Sequence, residues 1–303
     1  MRRRIVEITI GNFTLPINSY GLMMAVGFLL AIHLASRRAE REGLDPEVMI
    51  DMGWLAIIAG ILGARALFVL QNFRSFARRP VDMLRVDQGG LVFYGGFLAA
   101  TAVVSVYLRR KKVSIAQVLD ILTPSLALGL AFTRIGCFLN GCCWGDVCRH
   151  PHIVPAVQFP GGPRGMRSFA FNQHLNLGLI GPDALTSLPV HPTQLYSSCA
   201  AFLLFVLTAY LYRYRRHKGE VLAAFTVLYS ITRFTLEFWR GDNAPVKWLH
   251  FFQRTDSTVP PPFWEGFTIS QCIAVVTFFA ALGWIVWVRT RSSRPVSQGA
   301  DAD

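Results

Sequence analysis

The chain has 303 residues, of which 52% are hydrophobic and only 16% charged, and its net charge is +12. Soluble proteins carry roughly a quarter of their residues as Asp, Glu, Lys and Arg, so this composition, with its positive mean hydropathy, excludes an ordinary soluble domain and points to the bilayer. The basic balance fits an anionic membrane surface and not nucleic acid, whose binders present their basic residues on water-soluble domains.

In chain order, Met1-Arg2-Arg3-Arg4 resembles the basic region of a signal peptide. Glu7, Gly11, Asn12 and Pro16 then stand where its apolar core would be, and no cleaved signal is expected. Spanning ~30 Å of hydrocarbon takes ~20 apolar residues. Seven runs qualify, at about 19–36, 48–70, 90–108, 115–139, 192–212, 221–239 and 267–288, the third and sixth being the least apolar. Each must be helical, because lipid offers the backbone no hydrogen-bond partner. The expected fold is an all-α polytopic membrane protein, a single domain over residues 1–303 with seven transmembrane helices. A small extracytoplasmic head region would come from loops 146–190 and 241–266, and a disordered cytoplasmic tail from 292–303.

Basic residues set the orientation. Arg37, Arg38 and Arg41 follow the first run, Arg109 to Lys112 the third, Arg213, Arg215, Arg216 and Lys218 the fifth, and Arg289, Arg291 and Arg294 the seventh. All four clusters fall on one side, which the positive-inside rule makes cytoplasmic, with the N-terminus outside and the C-terminus inside. These short-loop clusters outweigh Arg2 to Arg4 and the group Arg74, Arg78, Arg79 and Arg85.

Three of the thirty Lys and Arg residues fall inside the apolar runs: Arg65, Arg134 and Arg233. Even lenient insertion scales charge such a residue ~2.5 kcal/mol, which makes each a candidate for function. Arg65 has a structural alternative, satisfaction by backbone carbonyls. Glu237 follows Arg233 by four residues, on the same helix face, and is the only acid inside a run away from its ends. Asp51 and Asp120, near run ends, read as solvated or capping. Three arginines against one carboxylate leave positive charge for an anionic ligand, and the abundant one in a membrane is a phospholipid phosphate, which a planar guanidinium binds bidentately.

Arg134 opens the stretch Arg134-Ile135-Gly136-Cys137-Phe138-Leu139-Asn140-Gly141-Cys142-Cys143-Trp144-Gly145. Its cysteines, with Cys148, His150 and His152 beyond, allow a disulfide, free thiols packed at a helix end, or a weak metal site on Cys142, Cys143, Cys148 and His150. Cys199 and Cys272 read as buried small hydrophobes.

Further motifs complete a pattern: Tyr20-Gly21, Gly63-Ala64-Arg65, Gly89-Gly90-Leu91-Val92-Phe93-Tyr94-Gly95-Gly96, His191-Pro192-Thr193-Gln194-Leu195-Tyr196, the set Tyr229, Arg233, Glu237 and Arg240, and Ser270-Gln271. In this order, through nearly the whole chain, they resemble the bacterial prolipoprotein diacylglyceryl transferases of the inner membrane. That resemblance implies transfer of a diacylglyceryl group from phosphatidylglycerol to the lipobox cysteine of a prolipoprotein, with release of glycerol phosphate and no cofactor. It further implies a phosphate held by Arg134 and Arg233, with Glu237 orienting Arg233 and Tyr94 in the reacting set. Substrate contacts would come from Tyr20, Arg65, Asn140, His191, Gln194, Tyr196, Tyr229 and Arg240. Glycines at 95, 96, 136, 141 and 145 would let lipid approach the backbone.

The chain departs from the family pattern in two places. Tyr94 stands where the family usually has a histidine regarded as the thiol-activating base, and tyrosine with a reference pKa near ~10 is a poor base. Cys137 and Cys142 stand where asparagine and glutamate are common. These departures keep open a diverged relative that binds anionic lipid or acts on another substrate. A membrane transporter is a further alternative, opposed by charges that cluster toward one face and by the lack of an inverted repeat.

Overall fold

The structure is a computed structural model that describes residues 4–10, 13–76, 80–84, 90–148, 155–162, 167–241 and 267–292. Its elements are β1 (Arg4–Ile10), β2 (Phe13–Asn18), α1 (Ser19–Arg41), α2 (Glu47–Gln71), the short α3 (Phe73–Phe76), α4 (Phe93–Arg110), α5 (Ile115–Asn140), α6 (Phe169–Asn176), α7 (Thr193–Tyr214), α8 (Glu220–Glu237) and α9 (Ile269–Ser292). A 3-10 turn, Pro80–Leu84, follows α3.

Helices occupy the places of all seven apolar runs. Five are long and apolar enough to cross a membrane: α1, α2, α5, α7 and the Ile269–Trp287 portion of α9. The remaining two are 18 residues each. α4 closes on Arg109 and Arg110, and α8 carries Glu220, Arg233 and Glu237, so five of the seven expected crossings stand on length and composition. One departure from an all-helical chain precedes α1. There β1 and β2 pair antiparallel, with Ile10 opposite Phe13.

The chain divides into two compact units, one of Ile32–Leu122 and one of Met1–Ala31 with Thr123–Asp303. In the first, α4 packs along α2. Small residues make the approach possible: a Cβ on Gly96 would stand 2.7 Å from the Gly60 carbonyl oxygen, and one on Gly95 2.5 Å from Leu67 Cβ. Val92 N–H donates to the Ala64 carbonyl at 3.1 Å. Gly95 and Gly96 therefore admit a neighbouring helix, the usual purpose of small residues between membrane helices, and the expectation that they admit lipid is corrected. Asp120 corrects another: its residue is 0% exposed, so it is not solvated. Asp51 is exposed and accepts from Tyr107 Oη at 2.6 Å.

In the second unit α8 packs between α7 and α9. Ser230 and Thr277 hydroxyls lie 2.9 Å apart across α8 and α9, and Ser198 Oγ donates to the Ala131 carbonyl at 3.0 Å, tying α7 to α5. Large apolar side chains such as Leu29, Phe202, Leu203 and Phe279 point outward, as lipid-facing residues must. Cys199 is among the exposed residues and Cys272 is half-buried, so neither is a core hydrophobe.

Between α5 and α7 the chain forms a small packed body. Trp144, Phe159, Ala170 and Val190 make its core, with Phe138, Val147 and Val157 against it. Ser168 caps α6 by accepting from Phe171 N–H at 3.2 Å. Bridges join Val147 and Val157 to Val190, and Pro160 to Thr186. Arg78, Arg79, Arg85, His150, His152 and almost all of the 241–266 loop lie outside the described residues.

Candidate active site

Arg134, in the last turns of α5, and Arg233, in the last turns of α8, line one pocket. Ser197, Tyr229 and Thr232 add polar groups, while Leu130, Leu204 and Leu236 form apolar wall. Arg134 is half-buried. Among the described residues it has no hydrogen-bond or ion-pair partner. Tyr229 stacks on Phe225 one turn earlier, centroids 5.6 Å apart.

Arg233 is held in place. Its Nη1 pairs with Glu237 and its Nη2 donates to Ser270 Oγ at 2.8 Å. The Glu237 side chain is 0% exposed, and Arg240 Nε approaches it at 3.8 Å. Thr268 Oγ1 donates to Glu237 Oε1 at 2.7 Å. Thr268 and Gln271 form a reciprocal cap at the start of α9. Gln271 N–H donates to Thr268 Oγ1 at 3.3 Å, and Thr268 N–H to Gln271 Oε1 at 2.9 Å. The Ser270-Gln271 motif thus acts through Arg233 and the helix start. Thr268 belongs to none of the motifs that point to the site; its signal in the chain is its place as the first residue of a Thr-x-x-Gln box.

α5 ends by a defined mechanism. Gly141 has φ +70°. Its N–H donates to the Phe138 carbonyl at 3.2 Å, and the next N–H, of Cys142, to the Cys137 carbonyl at 3.1 Å. These two bonds are the Schellman arrangement that closes helices on a left-handed glycine. The following loop is clamped from the start of α7: Gln194 Nε2 donates to the Cys142 carbonyl at 2.8 Å and Thr193 Oγ1 to the Cys143 carbonyl at 3.0 Å. Gly145 N–H donates to the His191 carbonyl at 2.9 Å, and a Cβ there would stand 2.6 Å from the Trp239 carbonyl oxygen. Gly136 faces Tyr20, and Gly141 faces Ser168 and Phe159. As at Gly95 and Gly96, protein fills the space these three glycines leave, and the lipid-approach reading is corrected for them too.

Three polar atoms around this clamp are buried without a protein partner among the described residues: His191 Nδ1, Gln194 Oε1 and Tyr196 Oη. The His191 and Tyr196 rings lie 6.4 Å apart. Burial pushes the His191 imidazole below its ordinary value, against the opposing pull of Asp146, so it is neutral at pH 7. Asn140 Nδ2 donates to Cys142 Sγ at 3.6 Å. The sulfurs of Cys137, Cys142 and Cys143 lie within 4.8 Å of one another. Bonds from Cys137 and Cys142, and then the charges of Arg240 and Arg134, hold the Cys143 thiol below its ordinary value. All six cysteines are free. Cys148 is buried apart from this trio, its N–H donating to the Pro189 carbonyl at 2.8 Å, and His150 lies outside the described residues. Of the weak metal set expected from spacing, the described residues bring Cys142 and Cys143 together, with Cys137 beside them.

Arg65 and Tyr94, like Gly95 and Gly96, belong to the Ile32–Leu122 unit. The Arg65 guanidinium donates to three carbonyls, Asp82 at 2.6 Å, Met83 at 2.8 Å and Gly90 at 3.2 Å. It also lies over the rings of Phe68 and Phe76, 5.5 and 5.4 Å from their centroids. Tyr94, in the first turn of α4, is 62% exposed and packs edge-on against Phe93.

A family model described as prolipoprotein diacylglyceryl transferase matches residues 6–287. Curated relatives carry the name phosphatidylglycerol--prolipoprotein diacylglyceryl transferase. The protein of Clostridium tetani is 32% identical over 230 residues, 76% of this chain and 83% of its own. That of Shigella boydii is 32% identical over 286 residues, covering 90% of this chain and 89% of its own. That of Oceanobacillus iheyensis is 32% identical over 240 residues, covering 78% and 77%. A transport function finds no support among these relatives.

Proposed function

This chain belongs to the prolipoprotein diacylglyceryl transferase family, and we propose from that membership that it transfers the diacylglyceryl group of phosphatidylglycerol to the lipobox cysteine of a prolipoprotein. It is a multi-pass inner-membrane transferase of lipoprotein biosynthesis. In the reaction the cysteine sulfur bonds to the glycerol carbon. The bond from that carbon to the phosphate oxygen breaks, glycerol phosphate leaves with the electron pair, and the thiol proton passes to solvent.

The observation that carries the reading is Arg134, a half-buried guanidinium without a protein acceptor among the described residues, lining one pocket with Arg233. A charge in that position costs ~2.5–3.5 kcal/mol on insertion scales, and a phosphate offsets this through bidentate, charge-assisted bonds. As negative charge grows on the departing phosphate, two fixed guanidinium groups stabilise it without reorganising, and one such donor is worth roughly 10²–10³-fold in rate. Glu237 keeps Arg233 aimed. Tyr20, Asn140, Tyr229 and Arg240, with the unpartnered atoms of His191, Gln194 and Tyr196, contact headgroup or peptide. Tyr94, exposed on the Ile32–Leu122 unit, offers a hydroxyl to lipid. Arg65 supports the fold around its site.

Topology is part of the same proposal. α1, α2, α4, α5, α7, α8 and α9 cross the bilayer, with the N-terminus outside. This is supported by the gathering of the α5 and α8 C-termini with the α7 and α9 N-termini around the polar residues above. It is supported also by the basic residues at the far ends, where Arg289 pairs with Glu220 at 2.9 Å. The 146–190 and 241–266 segments are then extracytoplasmic, the tail from 292 is cytoplasmic, and the basic residues serve the bilayer surface, not nucleic acid. The test is thioether formation on a lipobox peptide with phosphatidylglycerol, using Arg134→Ala and Arg233→Ala. Large losses are expected, and full activity in both variants overturns the phosphate assignment.

A further inference from the structure

Three thiols converge where α5 ends, and the helix-closing mechanism brings them there. In a Schellman closure the residue after the left-handed glycine folds back over the residue four places before that glycine. With Gly141 as that glycine, the two residues are Cys142 and Cys137, and the Cys142 N–H bond to the Cys137 carbonyl, 3.1 Å, fixes them together. Cys143 has φ +59°, a conformation that non-glycine residues adopt rarely, and the turn brings its sulfur to the other two. All three sulfurs lie within 4.8 Å of one another, Cys137 buried and the others half-buried. Gln194 and Thr193 hold the carbonyls of Cys142 and Cys143 from α7, so the turn is braced from outside itself.

From this geometry we infer that Cys137, Cys142 and Cys143 form a binding site for one thiophilic divalent cation, zinc foremost, as three thiolates. Sulfurs on one tetrahedral zinc stand about 3.8 Å apart, given Zn–S bonds of ~2.3 Å, so small side-chain rotations close the cluster onto an ion. Binding displaces three protons to solvent and changes no oxidation state. Three thiolates and a divalent ion sum to one negative charge. Asn140 Nδ2 already donates to Cys142 Sγ, the kind of outer contact that orients a metal ligand.

Three protein ligands leave a fourth position, the mark of a zinc site that also takes an exogenous ligand. A thiolate, soft like the three protein sulfurs, suits zinc in that position. Resting on the transferase reading above, that ligand is the acceptor cysteine: coordination removes its proton to solvent, and its sulfur keeps a lone pair for attack on the glycerol carbon.

The test uses the full-length, tag-free protein purified in detergent with a phosphine reductant. Elemental analysis after zinc loading and exhaustive dialysis is expected to find about one zinc per chain. Cys137→Ser/Cys142→Ser/Cys143→Ser should lose it, and Cys199→Ser should keep it. Cobalt in place of zinc should give thiolate-to-metal charge-transfer bands in the unmutated protein, a readout that does not depend on any variant folding. A cysteine peptide, but not its serine analogue, should shift the cobalt d–d bands. Absence of stoichiometric metal, a disulfide among the three sulfurs in place of metal, or full retention in the triple variant overturns the site. Bound cobalt with unmoved bands overturns the thiolate-accepting position. Metal binding without diacylglyceryl transfer would fail the function and leave the site standing.

Discussion

Arg65 and Arg134 are the same residue type, each inside an apolar helix, and the structure treats them oppositely. Arg65 spends its donors on three backbone carbonyls and lies over two phenyl rings. Arg134 lines a pocket without a partner among the described residues. An arginine in a membrane helix is thus a functional candidate in proportion to the donors its own protein leaves unsatisfied. Arg65 closes the chain between α2 and α4 on itself, while Arg134 is left for something that arrives.

The largest effect that could break this contrast is on catalysis. Arg134→Ala is expected to lower the transfer rate by roughly 10²–10³-fold, as for loss of one preorganised donor, with its thermal unfolding midpoint in detergent close to that of the parent. Arg65→Ala should do the reverse. Leaving buried carbonyls unpaired costs about 1–3 kcal/mol each where water cannot replace the donor. Its unfolding midpoint should drop, while activity per folded molecule stays within a few-fold. A fall in activity without a fall in stability would reverse the roles given to the two arginines.

Two smaller effects sharpen the account of the Ile32–Leu122 unit. Gly95→Ala would push a methyl into Leu67 Cβ across the α2–α4 contact, and overpacking of this kind costs about 1–3 kcal/mol. A scan of unfolding temperature should show it, and an unchanged midpoint would mean that the helices separate freely there. Tyr94→Phe removes one exposed hydroxyl, a hydrogen bond worth about 0.5–1.5 kcal/mol, so the transfer rate should fall by no more than about tenfold. A loss as large as that of Arg134→Ala would make Tyr94 a reacting group.

The smallest effect contrasts the packed 146–190 body with the membrane helices. Burial holds His174, like His191, below its ordinary value. The unfolded chain then takes up protons first as pH falls below ~6.5, so stability present at neutral pH declines through that window. Unfolding midpoints at pH 7.5 and 5.5 should differ more in the parent than in His174→Gln; equal differences would remove burial as the cause.

The helices are legible in the chain because a bilayer demands long apolar runs. The 115–139 run becomes Ile115–Asn140 and the 192–212 run Thr193–Tyr214. The 19–36 run extends to Arg41, since a helix can continue after its side chains turn polar. The hairpin has a signal too: Ile5-Val6-Glu7-Ile8-Thr9-Ile10 and Phe13-Thr14-Leu15-Pro16-Ile17 flank Gly11-Asn12. Its strands are far shorter than the ~20 residues that mark a membrane span, so a reading by long runs passes over them. In the site, the Arg233–Glu237 pairing is readable because it is local to one helix. The carbonyls that satisfy Arg65 lie 17 to 25 residues away, and no periodicity in the chain reports such contacts. The glycines at 95, 96, 136, 141 and 145 announce close approach but not what approaches.

The most direct test of the central claim is binding of glycerol phosphate, the anion that leaves, to the purified protein by calorimetry, comparing the parent with Arg134→Ala and Arg65→Ala. A guanidinium at Arg134 without a partner among the described residues predicts that Arg134→Ala weakens binding at least about tenfold, a loss of ~1.4 kcal/mol, and that Arg65→Ala leaves it unchanged. Parental affinity in Arg134→Ala would contradict the assignment of a phosphate to this pocket.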